Sequence, residues 1–250
     1  MYNKIKIVPA YVLRRRNILS FLLFFVCVFV AIFFWYKLQN QTKENNVPIT
    51  LRKGLDANEW LFSNMFSDKN LSRIYAKKYA AARVRVNGDY GLSKINDTAN
   101  WKLHVIRKPG DTLKISLAEI KSLPKKNVTF DFKCIEGWSQ ITSWSGVRFI
   151  DFANKYGLTA QMKMNYVGLA TPDSAYYVGI DMASMLHTQT ILAYEMNGAP
   201  LPINQGFPLR LIIPVKYGVK HIKRIGSIYF DNAKPKDYWY EIGYDYFCGM

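Results

Sequence analysis

Cysteine is scarce: Cys27, Cys134 and Cys248 are the only three in a chain of 250 residues. They are too few and too scattered for a disulfide framework. No CxxC pair is present for a zinc ribbon and no CxxCH for covalent haem. Acid is scarce as well, 18 Asp+Glu against 34 Lys+Arg, which leaves a net charge of +16. That excess suits nucleic acid, anionic lipid or an anionic ligand, but no nucleic-acid-binding motif accompanies it, so a nucleic-acid partner is not expected. The chain lacks the βαβ alternation of a dinucleotide-binding fold and any internal repeat. It is not disordered either, since half its residues are hydrophobic and 15% are aromatic.

One long apolar run is present. Ile18 to Tyr36 contains Ser20 as its only clearly polar residue, and a helix of that length crosses a hydrocarbon layer. Trp35 and Tyr36 close it in the position of an aromatic belt. Residues 1–36 hold five cations and no acid, all before the run, so residues 1–17 are expected to form a cytoplasmic basic tail. The 18–36 anchor would then place the remainder beyond the inner face of the cytoplasmic membrane. Arg15-Arg16-Asn17-Ile18-Leu19 is an ordinary positive-inside flank on one reading and resembles a twin-arginine export signal on another. No small-x-small cleavage site follows Tyr36, so an uncleaved anchor is expected. Residues 37–55 are polar and read as a tether, with one globular domain over 56–250.

The domain reads as strand-rich α+β. Short helical pieces are expected at Trp60–Phe66 and Leu71–Tyr75, and Asn87-Gly88 signals a turn. Trp101–Ile106 alternates as a strand, and Ser116-Leu-Ala-Glu119 has capping-box spacing for a helix stopped by Pro124. A helix is expected over Val147–Tyr156, ended by Gly157. Strands are expected at Ile191–Met196, before the Asn197-Gly198 turn, and at Leu209–Pro214 and Ile225–Phe230.

Val128, Phe130 and Phe132 alternate with Thr129, Asp131 and Lys133, the pattern of a half-buried strand, and Cys134 stands at its end. A cysteine at a strand's mouth suits a thiolate nucleophile or a soft-metal ligand, or else is simply a buried thiol. A cysteine hydrolase would need a histidine beside it, for which His187 is the candidate. Arg210 could equally be a surface strand residue, and Lys216, Lys220 and Lys223 a solvated face.

Three blocks narrow these alternatives. They are Phe132-Lys-Cys-Ile-Glu-Gly-Trp138 with Trp144-Ser-Gly146, His187-Thr-Gln-Thr-Ile-Leu-Ala-Tyr-Glu-Met-Asn-Gly198, and Gly206-Phe-Pro-Leu-Arg-Leu-Ile-Ile-Pro214 with Lys216-Tyr-Gly-Val-Lys-His-Ile-Lys223. In order and spacing they resemble the molybdopterin-binding oxidoreductase domain, the family of sulfite oxidases and of the periplasmic protein-methionine-sulfoxide reductase catalytic subunit. The resemblance covers about residues 120–230 and implies a Mo-molybdopterin cofactor, with Cys134 as the protein's bond to the metal. It further implies that Arg210 and Lys223 meet the pterin phosphate, that backbone N–H groups around His221 and Ile222 approach the cofactor, and that Gln205 faces it. Asn87-Gly-Asp-Tyr90 is too thin a match to carry over the family's N-terminal cofactor contacts.

Within the family, Cys134-Ile-Glu-Gly-Trp138 looks more like the methionine-sulfoxide branch than the sulfite branch, and no arginine stands between Arg148 and Arg210 to hold a dianion. The expected activity is reductive oxygen-atom transfer from a sulfoxide. Electrons would come from a membrane haem protein or quinone-linked cytochrome. Sulfite dehydrogenation and a cofactor-free binding module of the same fold are the alternatives.

Overall fold

A computed structural model describes residues 8–92 and 100–249. Of the expected basic tail, Lys4 and Lys6 lie outside the described residues. The chain divides into two compact units, Met1–Arg52 and Lys53–Met250.

The first unit is dominated by helix α1 (Ala10–Gln39), whose 30 residues span about 45 Å. None of its residues is buried, and among the described residues it alone is long and apolar enough to cross a membrane. It outruns the apolar stretch at both ends because Tyr11–Leu13 and Lys37–Gln39 are themselves helix-compatible. Asn40 closes it, with its backbone N–H and its side-chain amide both donating to Tyr36 O at 3.1 and 3.0 Å. The stretch expected to be a tether is instead ordered. A hairpin of β1 (Lys43–Glu44) and β2 (Val47–Pro48) turns through Asn45 and Asn46, both at positive φ (49° and 65°), and helix α2 (Ile49–Met65) begins directly after it. Asparagine tolerates the left-handed backbone that such two-residue turns demand, so a polar composition here encodes a turn.

The second unit runs β3 (Lys102–Lys108), β4 (Asp111–Ser116), α3 (Leu117–Lys121), β5 (Lys125–Lys133), β6 (Ser139–Arg148), α4 (Phe149–Lys155), β7 (Tyr166–Ala170), β8 (Tyr177–Asp181), α5 (Met182–Met185), β9 (Ile191–Met196), β10 (Ala199–Pro200), β11 (Arg210–Ile212), β12 (Ser227–Asp231) and α6 (Tyr238–Glu241). One sheet has the order β10-β9-β6-β5, with β11 also on β9; the other has the order β4-β3-β12-β7-β8. All these pairings are antiparallel except β3 with β12. This is the strand-rich α+β architecture expected. The capping box at α3 forms as its spacing requires: Ser116 Oγ accepts from Glu119 N, and the Glu119 carboxylate accepts from Ser116 N at 2.8 Å.

Leu71–Tyr75 is not helical. Ile74 bridges to Phe130 and Tyr75 N donates to Thr129 O at 2.9 Å, so this segment covers the open edge of β5. An unpaired edge strand needs such a cover, and that tertiary demand overrides the local helical pattern. The alternating face of β5 packs Val128, Phe130 and Phe132 with Trp144, Ile191, Ala193, Leu201 and Ile212. The larger cluster holds inward residues of the second sheet together with Val147, Leu192, Tyr194 and Leu211 of the first.

Gly146 in β6 lies tight against β9, because a Cβ built on it would stand 2.1 Å from Leu192 O and 2.6 Å from Ala193 Cα. A register shift between Ser145 and Gly146 marks the same spot. Gly146→Ala is therefore expected to destabilise the domain by roughly 3 kcal/mol or more, read as a lowered midpoint in urea unfolding. An unchanged midpoint would show that the strands can part there at little cost.

Candidate active site

Cys134 sits where β5 runs out into a tight turn. Its N–H donates to Trp138 O at 2.9 Å and its carbonyl accepts from Gly137 N at 3.1 Å. Gly137 takes φ 88°, which a residue with a side chain adopts poorly. The turn leaves Sγ facing an open cavity whose empty space, mouth included, is about 810 Å³. Asn87 Nδ2 donates to Sγ at 3.6 Å. Burial, the largest influence, pushes the thiol's pKa above its ordinary value. A free Cys134 is therefore a poor thiolate unless a metal replaces its proton. His187 does not line this cavity; it is a core histidine whose Nδ1 accepts from Gln189 N at 3.3 Å and whose ring packs against Phe66. The pairing a cysteine hydrolase needs is not made.

Arg210 opens β11 and is wholly enclosed, with its guanidinium 4.7 Å from the Trp144 ring centroid and 5.6 Å from that of Phe132. Nη1 donates to Gln205 Oε1 at 2.8 Å and to Gln205 O at 3.3 Å. Gln205 is fixed in turn because its Nε2 donates to Arg85 O at 3.2 Å. No carboxylate pairs with Arg210 among the described residues, and its Nε has no partner there. Burial depresses its pKa to about 9, the mark of a cation enclosed without its counter-charge. Lys223 reaches the same cavity and donates to the carbonyls of Asn87 and Gly88. Burial first, then the nearby Arg210, lowers its pKa to about 8.

His221 lines the cavity but offers no backbone donor there, because its N–H donates to Gly218 O at 3.0 Å. Its Nε2 lies 3.1 Å from Lys216 O, and burial holds the ring neutral with a pKa of about 3. Ile222 departs from the expected arrangement. It is buried behind the wall, is not among the lining residues, and donates its N–H to Lys220 O at 3.0 Å. The tight turn over residues 218–222 consumes both donors internally. Lys216 and Lys220 are not a solvated face either: Lys216 pairs with Asp181 at 2.6 Å and Lys220 with Asp237, each behind the cavity and almost fully buried.

The neutral His221 has a consequence for stability. The unfolded chain protonates this residue below about pH 6.5 and the fold does not until about pH 3, so its contribution to stability falls as pH drops through that window. His221→Gln is expected to flatten the acid loss of unfolding free energy between pH 6 and 4 by about 1 kcal/mol per pH unit relative to wild type. Parallel urea titrations at the two pH values would check this, and identical slopes would contradict it.

The cavity also holds residues that the three blocks do not contain. Arg85, Asn87, Gly88 and Tyr90 come from the turn before the first block, and Tyr176 and Trp239 from β-turn and C-terminal segments. The Asn87-Gly88 turn was visible in the sequence, but its proximity to Cys134 was not. Arg85 stacks on Trp138 with its guanidinium 4.7 Å from the ring, and so supplies an arginine to the mouth from before the cysteine rather than after it. Glu136 accepts from Trp138 Nε1 at 3.1 Å, and that hydrogen bond lowers its pKa.

Comparison with known proteins places these residues in context. The model of the oxidoreductase molybdopterin binding domain matches residues 90–239. A protein of Azospira oryzae provisionally named as a protein-methionine-sulfoxide reductase subunit is 35% identical over 187 residues, which are 74% of this chain and 70% of that protein. The protein-methionine-sulfoxide reductase catalytic subunit of Xanthomonas campestris is 32% identical over 158 residues, 57% of this chain and 48% of that protein. Among solved structures, the sulfane dehydrogenase from Paracoccus pantotrophus aligns with TM-score 0.50 at 15% identity, covering 57% of this chain and 41% of that one, a likeness of fold alone.

Proposed function

Because the chain belongs to the molybdopterin-binding oxidoreductase family, whose cofactor is Mo-molybdopterin, we propose that it reduces a sulfoxide, methionine sulfoxide first, by oxygen-atom transfer. The observation that carries this reading is that Cys134 and a buried Arg210, which has no carboxylate partner among the described residues, line one cavity. The residues fit the group: the orphaned Arg210 Nε and depressed cationic pKa values of Arg210 and Lys223 are what an anionic phosphate would relieve. Cys134 offers the soft sulfur a molybdenum centre accepts. When bound, the cofactor supplies the redox chemistry that takes up the sulfoxide oxygen.

The chain's own residues then do the positioning. Gln205 fixes the Arg210 fork through Oε1, and Lys223 ties the Asn87-Gly88 turn against the cavity. Asn87 Nδ2 orients the Cys134 sulfur. Tyr90, Trp138, Tyr176 and Trp239 give the cavity an aromatic lining suited to a thioether and its sulfoxide. Overall, sulfoxide plus two electrons and two protons yields sulfide and water. Electrons would be supplied by a membrane haem protein or quinone-linked cytochrome. We place the domain on the periplasmic side, held by the 18–36 segment of α1 as an uncleaved anchor; the Arg15-Arg16 pair supports export by a twin-arginine route. A C-terminal alkaline phosphatase fusion should be active if that orientation holds, and silent if it is reversed.

Arg85 at the mouth favours a second reading, oxidation of an anionic sulfur oxide such as sulfite. The separating experiment is metal and pterin analysis of protein from a cofactor-competent host, followed by two assays. Viologen-driven reduction of methionine sulfoxide is the expected activity. Sulfite-driven reduction of ferricyanide in its place would assign the second reading, and metal-free protein from such a host would overturn both.

A further inference from the structure

Between Lys69 and Gly88 the chain carries six cations, Lys69, Arg73, Lys77, Lys78, Arg83 and Arg85, and no acid. Residues 53–250 have a net charge of +9, so this short stretch supplies two-thirds of it. All six side chains are exposed, and none makes an ion pair among the described residues. The backbone beneath them is fixed to the edge of the first sheet. Tyr75 N donates to Thr129 O and Ala81 N to Ile141 O, each at 2.9 Å, while Gln140 clasps the strip by accepting from Arg85 N at 2.9 Å and donating to Arg83 O at 3.0 Å. The strip is thus a rail of fixed course, and it ends at Arg85 in the wall of the Cys134 cavity. Exposed Ile74 and Tyr79 stand among the cations, and Lys78 lies over the Tyr79 ring. Asp68 and Asp89 flank the stretch in sequence, and Glu136, beside the cysteine turn, is engaged by Trp138.

We propose that this rail recognises acid-rich polypeptide, so that the preferred substrates are methionine sulfoxides flanked by aspartate and glutamate. This rests on the sulfoxide reading above and adds to it the class of polypeptide served. A row of unpaired cations leading into a cavity raises the local concentration of anionic segments and sets their direction of approach. The interleaved apolar side chains give such a segment contact that a mobile counter-ion would not use. A lipid surface could also read cations, but a bilayer lying on the rail would cover the mouth to which the rail leads.

The test uses the full-length holoenzyme in neutral detergent. Two fluorescent peptides share a core with one methionine sulfoxide, flanked by glutamates in one and lysines in the other. Anisotropy at low salt is expected to give the glutamate peptide an affinity about tenfold higher, a gap that closes near 0.5 M salt as screening sets in. The triple variant Arg73→Glu, Lys77→Glu, Lys78→Glu should abolish or invert the preference, whereas Lys163→Glu, exposed and outside this stretch, should keep it. Equal affinities for the two peptides at low salt would overturn the proposal, as would a preference untouched by the triple variant. A rail that served lipid would give that result, together with loss of salt-sensitive binding to phosphatidylglycerol vesicles in the triple variant. Viologen-driven turnover of free methionine sulfoxide is measured separately: its failure alongside intact peptide discrimination would sink the chemistry and leave the rail standing.

Discussion

Cys134→Ala is expected to lower turnover by at least about 10³-fold, a loss of roughly 4 kcal/mol of transition-state stabilisation, while the fold barely changes. The two parts of that expectation have separate causes. Structurally, Sγ receives a long hydrogen bond from Asn87 at 3.6 Å and a backbone one from Glu136, and the turn is held by backbone bonds between Cys134, Gly137 and Trp138. Removing one sulfur at the wall of an open cavity should cost no more than about 1 kcal/mol of stability. Chemically, no other sulfur lines the cavity among the described residues, so none of them can replace the thiolate as a soft ligand. Cys134→Ser should be nearly as inactive, since a hydroxyl keeps the shape but not the softness. The measurements are viologen-coupled turnover, molybdenum content and thermal unfolding on the same preparations. Wild-type turnover in either variant would remove Cys134 from the chemistry.

Arg210→Met should separate the two things a buried cation can do. Burial drives the Arg210 pKa from 12.5 to about 9, a penalty of the order of 5 kcal/mol for keeping the charge enclosed. Methionine fills similar volume between the Phe132 and Trp144 rings without that penalty, although it leaves Gln205 Oε1 without its donor. The cofactor-free variant is therefore expected to be at least as stable as cofactor-free wild type, by up to about 3 kcal/mol. Cofactor retention should move the other way, falling at least about tenfold, because a charge-assisted fork to phosphate is lost. A cofactor-free variant that is clearly less stable, with cofactor content unchanged, would make Arg210 a structural strut.

Much of the fold was legible in local pattern. The alternation of β5, the capping box at α3 and the Asn197-Gly198 turn (φ 54° and 89°) reflect short-range sterics and hydrogen bonding, which neighbouring residues settle among themselves. Leu71–Tyr75 and residues 43–55 went otherwise. The first was claimed by the bare edge of β5, and in the second a polar composition concealed a hairpin and the start of α2.

For the site, the sequence by itself determined the chemistry on offer: a strand-end thiol, a strand-start arginine and a lysine in family order, together with an apolar run long enough to cross a membrane. Residue type and spacing carry that information because donor softness, charge and hydrophobic length are properties of the chain alone. Only the tertiary structure decided which of these groups meet. It set Arg85 and Asn87 beside Cys134, turned the donors of His221 and Ile222 inward, and buried Lys216 and Lys220 in ion pairs while leaving Arg210 without one among the described residues. Those outcomes depend on desolvation and on contacts between segments far apart in the chain, such as Lys223 with Asn87, which no local pattern records.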